Sequence, residues 1–241
     1  MKLKGTEDLS FFFEGTERGG TRVHLGPVIY LRTMYALKRE AIMSRSALST
    51  RLGVGEGTIR TIVHRLAQRG LVTVIRSGCT LSDRGRDFLQ SLSDFMTEPK
   101  LLLLEDVWRF THSIGVVVRS GSSSVGKGLE ERDQAIRYGA EAAMVLSYVS
   151  GKLLMPEVSD VSAEHPAFAK KIEAELPLRD GDVGLITGAH NLHAAESGAI
   201  GAALYLTRKL IARRGYQNLE DTGIASQRDS STRHQFGKGG I

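Results

Sequence analysis

Apolar residues recur at helical spacing in the first hundred positions. Pro27 suits the first turn of a helix, Gly53 tolerates the left-handed conformation of a sharp helix stop, and Ser82 can cap a helix. With these signals the pattern predicts four helices, over about 27–39, 46–52, 56–68 and 83–95.

The third of these segments has one apolar face and one polar face. Its apolar stripe follows the i, i+3, i+4, i+7 spacing that buries one side of a helix, and consists of Ile59, Ile62, Val63 and Leu66. The residues LVTVIR then alternate as a strand, which turns at Ser77-Gly78 into a second short strand, CTL. Two short helices, a tight turn and a hairpin form the layout of a winged helix-turn-helix.

Positive charge is concentrated in this motif. Residues 45–76 contain six arginines and one glutamate, a formal charge of +5. The whole chain also carries +5, so the remainder is balanced. A local excess points to a local polyanion site, whereas a generally basic protein would spread its charge.

A winged helix inserts its third helix into the major groove of DNA, and its wing reaches the neighbouring backbone or minor groove. Arg60 could read guanine, and Thr61 and His64 could contact bases or phosphate. Arg45 and Ser46, at the start of the second helix, suit phosphate. The predicted DNA-binding residues are Arg45, Ser46, Thr58, Arg60, Thr61, His64, Arg65 and Arg76. There are two alternatives to DNA binding. The exposed arginines could simply be solvated, or the winged helix could bind another protein.

The pattern of predicted elements changes after the predicted linker, residues 97–99. Strands at 113–119, 142–149 and 183–187 alternate with helices at about 129–138, 166–176 and 191–213. This alternation predicts an α+β protein, in which the winged helix precedes a small α/β or α+β domain. A ferredoxin-like arrangement is one option for that domain.

Two glycine-bearing turns are candidate ligand sites. The first, GSSSVGKG, resembles a phosphate loop, but Gly128 replaces the hydroxyl that would hold magnesium. Its alternatives are a non-hydrolytic anion cradle, through Gly121, Gly126 and Lys127, or a plain loop. The stretch LLLLED, which looks like a metal-binding strand end, precedes this loop instead of following it.

The second turn leads from a strand into a helix, where unpaired amides suit a carboxylate or phosphate. Its candidate ligand-binding residues are Gly188, His190, Asn191, His193 and Glu196. The two histidines and the glutamate could instead share a helix face and hold a metal, and Asn191 could simply cap the helix. The helix is rich in Ala and Gly, which permits close packing on the sheet or on a second subunit.

Whole-chain features narrow the classes of protein. The one cysteine excludes an internal disulfide and a Cys-rich zinc site within one chain. No window reaches the ~18 apolar residues of a membrane span, and the first residues do not read as a signal peptide. We therefore expect a cytoplasmic protein without membrane contact, cofactor or bound metal. The predicted divisions are an extension at 1–25 that contains the cluster Phe11–Phe13, a winged helix at 26–97, a second domain at 100–214, and a disordered tail at 215–241.

The chain resembles a group of archaeal winged-helix proteins, presumed transcription regulators, with a C-terminal domain of uncharacterised function. The resemblance covers roughly residues 26–210 and is carried by SRSALSTRLGVGEGTIRTIVHRLAQRGLV and GCTLSDRGRDFL in the first half. In the second half it is carried by ERDQAIRYGAEAA, KLLMPE and GDVGLITGAHNLHAAESGAIGAAL. It implies this architecture and DNA binding, but no ligand and no catalytic residue.

These observations favour a regulator that binds double-stranded DNA as a homodimer and senses a small anionic ligand through its C-terminal domain. Two half-sites are expected because one short helix makes few base contacts. The alternative is a metabolic enzyme or phosphometabolite-binding protein with an appended winged helix. Its acid–base candidates would be Asp133, His190, His193 and Glu196. A third possibility is an assembly factor.

Overall fold

The N-terminal half folds into the element order predicted for a winged helix. The computed structural model describes residues 26–104 and 107–221, and the last eight of these by their backbone alone. Three helices precede a β-hairpin and a fourth helix: α1 (Pro27–Glu40), α2 (Arg45–Leu52), α3 (Glu56–Gln68), β1 (Val72–Ile75), β2 (Gly78–Leu81) and α4 (Asp83–Ser93). The four predicted helices and the hairpin are therefore present, with ends shifted by up to two residues.

The hairpin is tied to the segment that precedes α2. Met43 exchanges two backbone hydrogen bonds with Cys79 of β2, with N–O distances of 3.0 and 2.8 Å. A side chain at Gly78 would lie 2.4 Å from the carbonyl oxygen of Met43, so this crossing requires glycine. The base of the wing is thus fixed to the helices.

The C-terminal half is built on a six-stranded sheet with the strand order β3-β4-β8-β5-β6-β7. The strands are β3 (Lys100–Leu102), β4 (His112–Val118), β5 (Ala142–Val149), β6 (Lys152–Met155), β7 (Ser159–Asp160) and β8 (Val183–Ala189). The helices are α5 (Leu129–Arg137), α6 (Val161–Glu164), α7 (Pro166–Glu175) and α8 (Leu192–Asp221).

Every neighbouring pair of strands in this sheet is antiparallel. The α+β class of the protein is confirmed. Of the two options for the second domain, α/β and α+β, the antiparallel pairing fits α+β, and β8 lies between β4 and β5. Those two strands run parallel but are not neighbours, so α5 connects a split β–α–β unit.

The small residues of α8 are used inside the chain. A side chain at Gly198 would lie 2.5 Å from Ala140, and one at Gly201 would lie 2.2 Å from the Tyr138 ring. The helix therefore packs closely on α5 and on the sheet, as one of the two sequence alternatives proposed, and these positions do not offer a surface to a second subunit.

The two halves share one hydrophobic core, which extends from Val28 in α1 to Leu210 in α8. The predicted linker is part of this structure, because Thr97 donates its amide to Val117 of β4 and accepts that residue's amide through its hydroxyl, both at 2.9 Å. It is therefore not a free connection.

Some predictions lie outside or at the edge of the described residues. Residues 1–25 with Phe11–Phe13, Glu105 and Asp106 of LLLLED, and residues 222–241 are outside them. The predicted disordered tail begins too early, since α8 continues from residue 215 to Asp221. No helix within residues 26–104 and 107–221 has the length and apolar character to cross a membrane.

Candidate nucleic-acid interface and interdomain junction

The start of α2 and the outer face of α3 form one side of the N-terminal half. Ser44 caps α2, its hydroxyl accepting the Ala47 amide at 3.1 Å, and Gly53 ends the helix in the left-handed conformation, with φ of 69°. The predicted apolar stripe of α3, Ile59, Ile62, Val63 and Leu66, is buried. Burial of that stripe turns the opposite face of α3 to solvent.

The predicted DNA-contacting side chains lie on this outer surface. Exposed positions are Arg45, Ser46, Arg60, His64, Arg65 and Arg76, while Thr58 and Thr61 are half-buried. Arg45, Arg60 and Arg76 form no ion pair with another described residue. Because neighbouring carboxylates do not compensate these charges, they are available to an external anion.

Arg65 differs from the other arginines of this surface. Its guanidinium donates to the Tyr30 hydroxyl of α1 at 3.0 Å, and Arg69 lies over the same tyrosine ring, 5.5 Å from its centroid. These contacts join α3 to α1. Arg65 therefore has a packing function that the sequence pattern did not indicate.

A buried arginine connects the N-terminal half to α8. Arg32 of α1 is 4% exposed. Its Nε donates to Glu196 Oε2 at 2.9 Å, its Nη2 lies 3.0 Å from His193 Nδ1, and its Nη1 donates to the Leu52 carbonyl at 3.4 Å. One guanidinium thus joins α1, the end of α2 and the first turns of α8.

This arrangement favours the neutral form of the His193 imidazole. Burial is the main cause that lowers its pKa, and the positive charge of Arg32 is the next. Since a guanidinium can only donate, His193 Nδ1 accepts, which puts the ring proton on Nε2. The ring also fills the space beside Gly53, where a Cβ would lie 2.3 Å from it. His193 and Glu196, predicted as ligand-binding residues, both contact Arg32 in this junction.

Sequence reasoning missed Arg32, although a signal was available. It is the one charged residue in PVIYLRTMYAL, a run whose members are all buried. A charge inside such a run implies a buried partner, because an isolated charge is too costly to bury. The partner lies 164 positions away in the sequence, so only the fold identifies it.

The first glycine-bearing turn is only partly open to a ligand. Gly121 is buried, since a Cβ there would meet Val183 and Leu206 at 3.0 and 3.2 Å, and it begins a 3-10 turn over Ser122–Ser124. Gly126 and Lys127 line a cavity of about 470 Å³, and Lys127 Nζ pairs with Glu157 at 2.9 Å. A ligand site here would use the second half of the loop.

The second turn is mostly structural. Gly188 lies under the Phe110 ring, which a Cβ would approach to 2.5 Å. The amide of His190 donates to Glu141 at 2.8 Å. Asn191 caps α8 by accepting the amides of His193 and Ala194 at 2.8 and 3.2 Å, which is the capping alternative.

The structure does not assemble the acid–base candidates into one site. His193 and Glu196 both contact Arg32, His190 lies beside Glu141 and Thr111, and Asp133 is exposed on α5. No group of three or more His, Cys, Asp or Glu side chains suited to a metal occurs among the described residues.

Comparison with family models divides the chain as the fold does. Residues 32–96 match the CggR N-terminal DNA binding domain, and residues 110–207 match a domain of unknown function, DUF4443. A DNA-binding domain followed by a domain of uncharacterised function agrees with the architecture predicted from the sequence. A search of curated proteins found no match.

A solved structure is similar over most of the chain. It is a hypothetical protein from Pyrococcus horikoshii OT3, with 27% sequence identity and a TM-score of 0.64. The match covers 79% of this chain and 96% of that one. The combination of these two halves therefore occurs in an archaeal protein.

Proposed function

We propose that this protein is a transcriptional regulator that binds double-stranded DNA through the exposed surface of α2, α3 and the wing. The carrying observation is the set of uncompensated arginines on that surface, Arg45, Arg60 and Arg76. The match of this half to a DNA-binding domain supports the same function. A regulator must meet the DNA of its cell, which agrees with the predicted cytoplasmic location.

The side chains of this surface have two kinds of role. Arg60, Thr61 and His64 project from α3 and contact bases in the major groove. The others fix the protein on the backbone: Arg45, Ser46 and Thr58 near the starts of α2 and α3, and Arg76 at the wing. Arg65 supports α3 through Tyr30 and contributes charge without reading sequence.

The regulator acts as a homodimer on two half-sites. One short helix makes few base contacts, and a second copy roughly doubles the binding free energy. The small residues of α8 are already packed inside the chain, so a different surface of the protein joins the two copies.

A small anionic ligand in the C-terminal half regulates DNA binding by favouring one arrangement of the two winged helices of the dimer. The junction at Arg32 supplies a physical route for that effect. It ties the end of α2, beside the turn that precedes α3, to the first turns of α8. A displacement of α8 would therefore also change the position of the DNA-binding surface.

The test begins with selection of bound sequences from random DNA, followed by affinity measurements on the selected site. Arg60→Ala should weaken binding about 5- to 150-fold and relax the preference at one base pair. The loss follows from removing a bidentate contact to a base edge.

Arg137→Ala is the matched control, since Arg137 is exposed on α5, outside the proposed surface. It should leave affinity and preference unchanged. Equal affinity of wild type and Arg60→Ala for the selected site, or no retention of DNA by wild type at low salt, would refute the proposed function.

A further inference from the structure

Beside the cavity at the start of α5 lie buried polar atoms that no described residue hydrogen-bonds. Three described side-chain atoms are buried without a hydrogen bond, and two of them, Ser124 Oγ and Glu131 Oε2, belong to residues that line this cavity. Ser124 is 3% exposed and Glu131 is 1% exposed. Buried polar groups nearly always have a partner, so this pair indicates that a polar ligand completes the site.

The same cavity has an open helix N-terminus. Gly128 precedes α5 and has no side chain to cap it, as is also true of Gly26 before α1 and Gly55 before α3. The first turn of α5 carries the carboxylates of Glu130 and Glu131. The first amides of a helix have no partner within the helix, and together with its dipole they favour an anion. The N-terminus of α5 can therefore bind a negatively charged group.

Two cations of α8 face this helix end. Lys209 is shared by Glu130 and Glu131, at 2.7 and 3.0 Å. Arg213 donates to the Ser123 carbonyl and forms no ion pair with a described residue. No described carboxylate therefore pairs with it, and a guanidinium suits a phosphate or a carboxylate.

These features require different chemical groups on one ligand. The open amides and Arg213 require an anionic group, whereas Glu131 requires a hydrogen-bond donor and Ser124 a hydroxyl-like partner. Inorganic phosphate would satisfy only the first requirement. The volume of about 470 Å³ is that of a site for a small organic molecule.

We infer that this cavity binds a phosphate ester carrying free hydroxyl groups, a sugar phosphate or a mononucleotide, which serves as the effector of the proposed regulator. The effector role rests on the proposed function, while the binding site does not. Lys209 and Arg213 lie on the helix that also holds His193 and Glu196. Glu196 and Lys209 are about 20 Å apart along α8 at 1.5 Å per residue. Binding at one end of α8 can therefore alter the junction at the other.

Calorimetric titration of the full chain tests the site. Ribose 5-phosphate, glucose 6-phosphate and AMP are the probes, and ribose and inorganic phosphate are the comparison compounds. At least one ester should bind with Kd below 1 mM and at least tenfold more tightly than ribose or phosphate. The sugar phosphates and AMP distinguish the two sources of the ester.

Glu131→Gln and Ser124→Ala should each weaken the binding of that ester about tenfold. Glu173→Gln is the control, since Glu173 is exposed on α7 and does not line the cavity, and it should bind as wild type. No binding of any ester, inorganic phosphate bound as tightly as the esters, or unchanged affinity in both folded cavity variants would overturn the inference.

The DNA assay with Arg60→Ala separates this inference from the proposed function. If no ester binds while DNA binding remains intact and depends on Arg60, the proposed ligand site is wrong and the proposed DNA-binding function is retained. If an ester binds but DNA does not, the proposed DNA-binding function is wrong and the ligand site is retained.

Discussion

Arginine has opposite environments in two regions of the N-terminal half. On the outer surface, Arg45, Arg60 and Arg76 are exposed and lack ion pairs with described residues. At the junction, Arg32 is buried and contacts Glu196, His193 and the Leu52 carbonyl. The same side chain is thus left uncompensated for an external anion in one region and fully partnered in the other.

This difference separates binding from stability. Removing an exposed, uncompensated charge should hardly affect folding, because water already solvates it. Removing a buried partner leaves the other charge uncompensated in a medium that solvates it poorly. Variants of the two regions should therefore give opposite results in folding and DNA-binding assays.

The largest effect is expected at the junction. Arg32→Met keeps much of the side-chain volume but leaves the Glu196 carboxylate buried and unpaired. It should lower the free energy of unfolding by about 3–5 kcal/mol, measured by urea denaturation.

A double variant and a surface pair sharpen this result. Arg32→Met combined with Glu196→Leu removes both charges and should recover most of the lost stability. Lys127→Met breaks a pair with Glu157 whose side chains are 66% and 60% exposed, and should cost less than about 1 kcal/mol. Equal losses for Arg32→Met and Lys127→Met would contradict the proposed contrast.

A smaller effect, on binding instead of stability, is expected at the start of α2. Arg45→Ala should weaken binding to all DNA sequences alike and reduce the slope of log affinity against log salt by about 1, because one phosphate contact no longer releases a counterion. Fluorescence anisotropy over a range of salt concentrations measures this slope.

The unfolding free energy of Arg45→Ala should stay at the wild-type value, and Arg137→Ala should retain the wild-type salt slope. An unchanged slope in Arg45→Ala would show that Arg45 does not contact a DNA phosphate.

The smallest effect concerns pH. The pKa of His193 is lowered by burial and by Arg32, with smaller influences from Glu196, Arg51 and His112. Below about pH 6.5, the ordinary value, the unfolded chain binds the proton more readily than the folded one. The stability that neutral His193 contributes is present above that pH and is lost as the pH falls through the lowered value.

Thermal unfolding between pH 7 and pH 5 measures this contribution. His193→Gln should lose less stability on acidification than wild type, whereas His165→Gln, at an exposed position outside the junction, should behave as wild type. Identical slopes in wild type and His193→Gln would show that His193 does not titrate with folding.

Local signals predicted the N-terminal half well, because its elements depend on neighbouring residues. Apolar spacing placed α3 within Glu56–Gln68, and Ser77-Gly78 marked the hairpin turn. The same reasoning failed to pair the strands of the second half, where the neighbours β4 and β8 are separated by more than sixty residues. The short strands β3, β6 and β7 also carried no pattern long enough to recognise.

The sequence by itself determined the helices of the N-terminal half, the hairpin and the concentration of charge, since each follows from side chains close together in the chain. It also gave the correct outward positions of Arg60 and His64, because burial of the opposite stripe leaves them no other direction. Only the tertiary structure decided that His193 and Glu196 hold Arg32, and that the end of the first glycine-rich loop opens into a cavity with Glu131 and Arg213. Those contacts join residues far apart in the chain, and periodicity and charge counts carry no information about such distances.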